Sequence, residues 1–125
     1  MSRYSSTACR VGLAALAAGA LAACGDARAK DLTAGISRDS TLAIMQTVPS
    51  AADSLPNVHE RGVYLIGGKL MEVMLFPRDG SAHKGETIPD EEITPVVLAN
   101  DSLMGWGWTF WDSVATANRL PRRPQ

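Results

Sequence analysis

The feature that most limits what this chain can fold into is an apolar run, Val11–Ala23, near its beginning. The run has 13 residues, whereas a helix that crosses a bilayer needs roughly 20. Arg3 and Arg10 precede it and small residues end it, which is typical of a secretory signal that is removed from the mature protein. We therefore expect residues 1–23 of 125 to be cleaved, leaving 102, enough for one small domain.

The end of this run, Leu21-Ala22-Ala23-Cys24, resembles the lipobox of bacterial lipoproteins. The resemblance implies that the chain is cut before Cys24, that its thiol carries diacylglycerol and that the new amino group receives a fatty acid such as palmitate. Two or more acyl chains anchor a protein stably to a membrane. Gly25 stands where an aspartate would resemble an inner-membrane retention signal, which favours the outer membrane, facing the periplasm. The alternative is an ordinary secretory peptide followed by a chance cysteine.

The charge of the chain excludes one class of partner. Loss of Arg3 and Arg10 takes the formal net charge from -1 to -3. A weak and dispersed negative charge gives no reason to expect a nucleic-acid partner.

The mature chain is expected to form a single domain at 36–120 with a short segment on each side. Residues 24–35 read as a lipidated tether, because small and charged residues alternate without an apolar face. Residues 121–125 read as a solvated, flexible tail.

Gly67-Gly68 is the strongest local structural signal, because two glycines tolerate the positive φ of a tight β-hairpin turn. Apolar and β-branched runs flank it on both sides. Asn100-Asp101-Ser102 predicts a second turn, between two further strands. The four predicted strands are Val58–Ile66, Lys69–Phe76, Ile93–Ala99 and Leu103–Phe110.

One helix is predicted before the strands and one after them. Ser37 or Asp39 can cap a first helix that places Leu42 and Met45 on one face. A short helix is predicted over 112–119 at the end of the domain. The expected fold class is α+β, with the N-terminal helix packed on one face of a four-stranded antiparallel sheet.

Two stretches resemble known sequences. Residues 35–45 resemble the opening and amphipathic first helix of SmpA/OmlA-type lipoproteins, small members of the outer-membrane β-barrel assembly machinery that share a β-lactamase-inhibitor-like fold. In that family the helix ends in a Leu-Gly-x-Pro turn, whereas 45–49 keeps the proline and lacks the glycine. Thr94-Pro95-Val96-Val97 followed by Gly105-Trp106-Gly107-Trp108 is similar to uncharacterised small bacterial lipoproteins of that architecture. The resemblance implies the fold and the location, and neither stretch is a catalytic signature.

Aromatic residues near the end of the domain are the candidate binding residues. Met104, Trp106, Trp108 and Phe110 alternate with smaller residues, so that in a strand they would share one face. That face is either the core against the first helix or a partly exposed anchor for a partner, since tryptophan is frequent at binding sites. Trp111 breaks the alternation and is expected to be the most exposed tryptophan. Candidate partner-binding residues are Tyr64, Trp106, Trp108 and Trp111.

Residues with catalytic or metal-binding potential are isolated. Asp90-Glu91-Glu92 is acidic but lacks histidines at ligand spacing, and neither His59 nor His83 has a companion in sequence that predicts a zinc site or a catalytic pair. No serine lies in a Gly-x-Ser-x-Gly or Ser-x-x-Lys pattern. We therefore expect neither an enzyme, nor a metal site, nor a cofactor.

The leading hypothesis is a lipid-anchored lipoprotein of the cell envelope that acts by non-covalent binding, as an accessory or stabilising subunit of an envelope complex. Its membrane contact is the lipid on Cys24, and its partner is an envelope protein. One alternative is a glycan or small-ligand binding module that uses the Trp-rich strand. Another is an inhibitor of a periplasmic hydrolase, which rests on the fold analogy alone.

Overall fold

A computed structural model describes residues 26–48 and 55–124 of the chain. Within these two ranges the elements are, in chain order, a 3-10 helix (Ala27–Asp31), α1 (Arg38–Ile44), β1 (Glu60–Ile66), β2 (Lys69–Pro77), a second 3-10 helix (Asp90–Glu92), β3 (Ile93–Ala99), β4 (Ser102–Trp106) and α2 (Trp108–Asn118). The strands form one antiparallel sheet in the order β1-β2-β3-β4. The predicted α+β class and four-stranded antiparallel sheet are therefore confirmed.

The turn between β1 and β2 is the predicted two-glycine hairpin. Gly67 and Gly68 have φ values of +57° and +83°, both in the left-handed region that favours glycine. Ile66 pairs with Lys69 across the turn, and the register continues to Glu60 opposite Leu75. The turn residues thus set the register of the first two strands.

Alternate residues of β2 enter two separate cores, one on each face of the sheet. Val73 and Leu75 are fully buried in the core that contains Trp111 of α2. Met74 and Phe76 are fully buried in the core that contains Leu42 of α1. We call these the α2-side core and the α1-side core. Because both faces are covered, β2 is apolar along most of its length instead of alternating with polar residues.

The helices are arranged differently from the predicted layout, in which one N-terminal helix packs on one face. Helix α1 has only seven residues, and its Leu42 lies in the α1-side core with Met45, which follows the helix. Helix α2 has eleven residues, follows the sheet and buries Trp111 and Ala115 in the opposite core. The prediction that the N-terminal helix is the main element packed on the sheet is wrong, because the longer of the two helices is α2, which follows the strands.

Strand β4 is shorter than the predicted strand Leu103–Phe110. It ends at Trp106, because Gly107 has a φ of +91° that turns the backbone out of the strand, and α2 begins at Trp108. The pairing of β3 with β4 also shifts register, which leaves Met104 as an extra residue in a bulge. The expected alternation of large residues along one strand is therefore wrong.

The segment 24–35, predicted as a tether, is part of the domain from Asp26 onward. Asp26 is 4% exposed; it accepts a hydrogen bond of 2.8 Å from the Thr94 hydroxyl and forms an ion pair of 2.8 Å with Arg28. Burial raises the pKa of the Asp26 carboxyl, but the hydrogen bonds from Arg28 and Thr94 outweigh it and leave the pKa below its ordinary value. Ala29 of the following 3-10 helix is buried in the α1-side core.

The tail is also held against the domain, in contrast to the solvated and flexible end predicted for 121–125. The Arg122 carbonyl accepts a hydrogen bond of 2.7 Å from the Trp111 indole. Arg123 forms an ion pair of 3.1 Å with Glu60 at the start of β1. Pro124 is buried. The tail thus links α2 to the far edge of the sheet, and only its last residue lies outside the described residues.

A carboxylate flanked by two guanidinium groups joins α1 to the β1–β2 hairpin. Glu72 of β2 accepts hydrogen bonds of 2.8 and 3.0 Å from Arg38, and it also pairs with Arg61 of β1. The Glu72 side chain is 8% exposed. Its burial raises the pKa, but hydrogen bonds and charges from Arg38 and Arg61 outweigh burial and lower the pKa below its ordinary value. The ionised form of Glu72 therefore stabilises the fold.

We expect Glu72→Gln to lower the free energy of unfolding by about 3 kcal/mol, because it leaves two partly buried cations without their counter-ion. Urea unfolding at pH 7 measures this. Asp31→Asn is the matched control, since Asp31 pairs with Lys30 at 3.7 Å on the exposed surface, where a pair contributes about 0–1 kcal/mol. Equal stability of the two variants would contradict the assignment.

The same carboxylate predicts a pH dependence. Because the pKa of Glu72 is lowered on folding, its contribution is present above pH 4.5, its ordinary value, and is lost as pH falls through the folded-state pKa. The Glu72→Gln variant should therefore lose less stability than the wild type on acidification below that pH.

Candidate functional site

Cys24, the predicted lipidation site, lies outside the described residues. The described chain begins two positions later, at Asp26, beside the ends of β2 and β3. Within 26–48 and 55–124, no helix is long and apolar enough to cross a bilayer.

Trp111, expected to be the most exposed tryptophan, is fully buried. Because α2 begins at Trp108, helical spacing turns Trp111 and Ala115 towards the same side, against the sheet. The indole ring stacks on Tyr64 of β1, with 6.5 Å between ring centroids. The predicted exposure of Trp111 is wrong, and its substitution by alanine would test packing instead of partner binding.

The other two tryptophans are separated by the sheet. Trp106, at the end of β4, is half-buried against the α1-side core. Trp108 is half-buried against the α2-side core. Of the four candidate residues, Tyr64, Trp108 and Trp111 therefore belong to the α2-side core, whereas Trp106 lies on the opposite face of the sheet.

Trp108 is held by backbone and tail groups. Its indole nitrogen donates to the carbonyl oxygens of Asp90 and Ile93, at 2.7 and 3.1 Å. The guanidinium carbon of Arg122 lies 4.2 Å from the ring centroid, a cation–π contact. Arg122 also forms an ion pair with Asp90. The ring thus joins α2, the start of β3 and the tail, which is a structural role.

The most exposed apolar side chains of the hairpin lie together on one face of it. Val63, Leu65 and Leu70 are 43%, 75% and 50% exposed. Leu65 and Leu70 are direct cross-strand partners, and Val63 is two residues from Leu65 on the same face. We call these three residues the hairpin strip. Val63 and Leu65 belong to β1, which is one of the two edge strands of the sheet formed by the described residues, and an edge strand is a template for pairing with another chain.

The hairpin strip is open because the cover of the α1-side core ends at β2. Val63 is opposite Glu72, and Arg38 reaches Glu72 from α1. Charged groups therefore mark the limit of the covered part of this face. The sequence did not show which face is exposed, because apolar residues occupy both faces of β1, including Tyr64 and Ile66.

The loop between β2 and β3 lines a second candidate site, a cavity of about 300 Å³. His83 lies on this cavity between two carboxylates: its Nε2 is 2.7 Å from Asp79 and its Nδ1 is 3.0 Å from Glu86. The hydrogen bonds to Asp79 and Glu86 raise the pKa of the His83 imidazole. The cavity is lined by Pro77, Arg78, Asp79, His83, Glu86, Thr87, Ile88, Pro89, Glu91 and Glu92.

This arrangement favours a stable loop over a reactive site. The two carboxylates bind opposite edges of the imidazole, so they do not converge on one point. In the described part of the chain, no group of three or more histidine, cysteine, aspartate or glutamate residues is placed to hold a metal ion. His59, the other histidine, has its Nδ1 2.9 Å from the Ala82 carbonyl and so also contacts this loop.

Comparison of the chain with family models, with curated proteins and with solved structures gave no match in any of the three.

We expect the imidazole of His83 to titrate above pH 6.5, because only its protonated form donates to Asp79 and Glu86 at once. The stability that this contact contributes is present below pH 6.5 and is lost as pH rises through the folded-state pKa. An NMR pH titration measures the shift. Asp79→Asn should lower the pKa of His83, whereas Glu91→Gln, on the same cavity, serves as the control. A wild-type His83 that titrates at or below 6.5 would contradict the geometry.

Proposed function

We propose that this protein is a lipid-anchored lipoprotein of the cell envelope that binds a protein partner non-covalently, as an accessory or stabilising subunit of an envelope complex. The anchor is the lipid on Cys24, facing the periplasm, with the outer membrane favoured by Gly25. The observation that carries the binding function is the hairpin strip, an exposed apolar surface formed by Val63 and Leu65 of the edge strand β1 and by Leu70 of β2.

The exposure of the hairpin strip has an energetic consequence. Burying a fully exposed leucine or valine side chain contributes roughly 1.5–3 kcal/mol. Val63 and Leu70 are already about half-buried, so Leu65, 75% exposed, contributes most to a contact at this strip. An exposed apolar edge strand is a liability unless a partner covers it. The exposed Lys69 beside the turn limits indiscriminate self-association and favours a partner that offers apolar side chains with a carboxylate nearby.

A membrane anchor increases the effect of such a contact. Holding two proteins on one membrane raises their effective concentration, so a modest apolar surface suffices for association. The proposal therefore does not require a deep pocket or a large interface.

The alternative of a glycan-binding module receives less support from the packing of the aromatic residues. Stacking on a sugar needs an exposed ring face, and Trp111 offers none. Trp108 has one ring face covered by Arg122. A surface built on aliphatic residues favours a protein partner.

The lipid anchor is tested by metabolic labelling with radioactive palmitate in the native host. We expect label on the wild-type protein and on Cys9→Ala, because Cys9 leaves with the signal. Cys24→Ala should carry no label and should not fractionate with membranes. Label retained on Cys24→Ala, or a mature species that still contains Met1 by intact mass, would remove the anchor from the proposal.

The partner surface is tested by crosslinking in native membranes followed by quantitative purification. We expect Leu65→Ser to lower partner recovery at least about tenfold, since a tenfold change corresponds to about 1.4 kcal/mol and a buried leucine contributes more. Val48→Ser is the matched control, because Val48 is 66% exposed but lies outside the hairpin strip. Both side chains are exposed, so the two variants should fold. Equal recovery with both variants would exclude the strip as the binding surface.

A further inference from the structure

The distance between the lipid site and the folded domain is very short. Only one residue, Gly25, separates Cys24 from Asp26, and Asp26 is 4% exposed. Consecutive Cα atoms are 3.8 Å apart, so two peptide units span about 7 Å at most. An acylated Cys24 would therefore lie within about 7 Å of a residue that is already packed into the fold.

The contacts of this segment identify which end of the sheet it joins. The Asp26 carboxylate accepts from Thr94, the second residue of β3. Arg28 donates to the carbonyl of Pro77, the last residue of β2, at 3.0 Å. The loop 78–92 leaves and re-enters the sheet at the same place. We call this end, with Asp26 and the loop 78–92, the loop end.

The hairpin strip lies towards the other end of the sheet. Strand β2 runs from Lys69 at the Gly67-Gly68 turn to Pro77 at the loop end. Eight residue steps at about 3.3 Å each give about 26 Å between the two ends. The strip is level with Leu70 and Glu72 of β2, so it lies five to seven of these steps, about 17–23 Å, from the loop end.

We infer that the loop end lies directly against the lipid headgroups when Cys24 is acylated, and that the hairpin strip is held away from the bilayer. This inference rests on the lipid anchor of the proposed function. The occupant of the loop end is the bilayer surface, because one residue is too short a tether to let the domain move away from it. The strip then faces the periplasm and binds a protein there, about 17–23 Å along the strands from the loop end.

The charge of the loop end shows what kind of membrane contact this is. Its cations Arg78 and Lys84 are outnumbered by carboxylates, which are Asp26, Asp79, Glu86, Asp90, Glu91 and Glu92. Such a surface has no net attraction to anionic lipid. The contact is imposed by the covalent anchor, so it should persist on zwitterionic vesicles and change little with salt.

Introduced cysteines can report this orientation, because the processed protein has no free thiol once Cys9 is removed and Cys24 is acylated. We propose Lys84→Cys at the loop end and Lys69→Cys at the hairpin end, since both lysines are exposed. Each full-length lipidated variant is spin-labelled and reconstituted into phosphatidylcholine vesicles. Collision with a water-soluble nickel complex is then measured by EPR.

We expect the label at position 84 to collide with the nickel complex several-fold less than the label at position 69. The difference should disappear in detergent. Equal collision rates at the two positions, in protein that still floats with the vesicles, would overturn the inference while leaving the lipid anchor intact. Protein that does not float would overturn the anchor itself, and the inference with it.

A linker variant separates the short tether from other causes. Twelve Gly and Ser residues inserted between Gly25 and Asp26 have an end-to-end distance of about 19 Å, enough for the domain to leave the surface. The label at position 84 should then regain the accessibility of position 69, with flotation unchanged. Continued protection at position 84 would show that a different attraction holds the loop end, contrary to the inference.

Discussion

The hydrogen bond between the Thr94 hydroxyl and the Asp26 carboxylate, with the ion pair from Arg28, fixes the first described residues to the ends of β2 and β3. The group is nearly inaccessible to water, so losing one partner would leave a buried charge unsatisfied. This contact converts a segment that reads as a linker into part of the domain. It places the first described residue at the end of the sheet opposite the Gly67-Gly68 turn.

The sheet is covered unequally, and charged groups mark where the cover ends. On the α2 side, α2 and the tail extend across to Tyr64 of β1. On the α1 side, apolar cover reaches only β2, where Arg38 and Arg61 neutralise Glu72. Val63, Leu65 and Leu70 lie beyond that limit and remain exposed.

Local signals predicted the parts of the fold that depend on local chemistry. Gly67-Gly68 specified a hairpin because its positive φ values are required there, and Ser37 caps α1 by accepting a hydrogen bond from the Ser40 backbone. Trp111 could not be placed from sequence, because its burial depends on Gly107 ending β4 and on the tail packing behind it. The hairpin strip could not be predicted from sequence either. Strand β1 is apolar on both faces, and only the packing of other elements on the sheet decides which face is exposed.

The two ends of the sheet fit two different proposed roles, membrane contact at the loop end and partner binding at the hairpin strip. On a protein free in solution, an exposed apolar strip on an edge strand promotes aggregation. The lipid anchor that we propose at the opposite end would restrict the orientations in which two copies can meet, because both would point the strip away from the same membrane. It would also restrict encounters to molecules within reach of that surface. Under the proposed function, the separation of anchor and strip along β2 therefore favours one lateral partner over nonspecific association, as an accessory subunit requires.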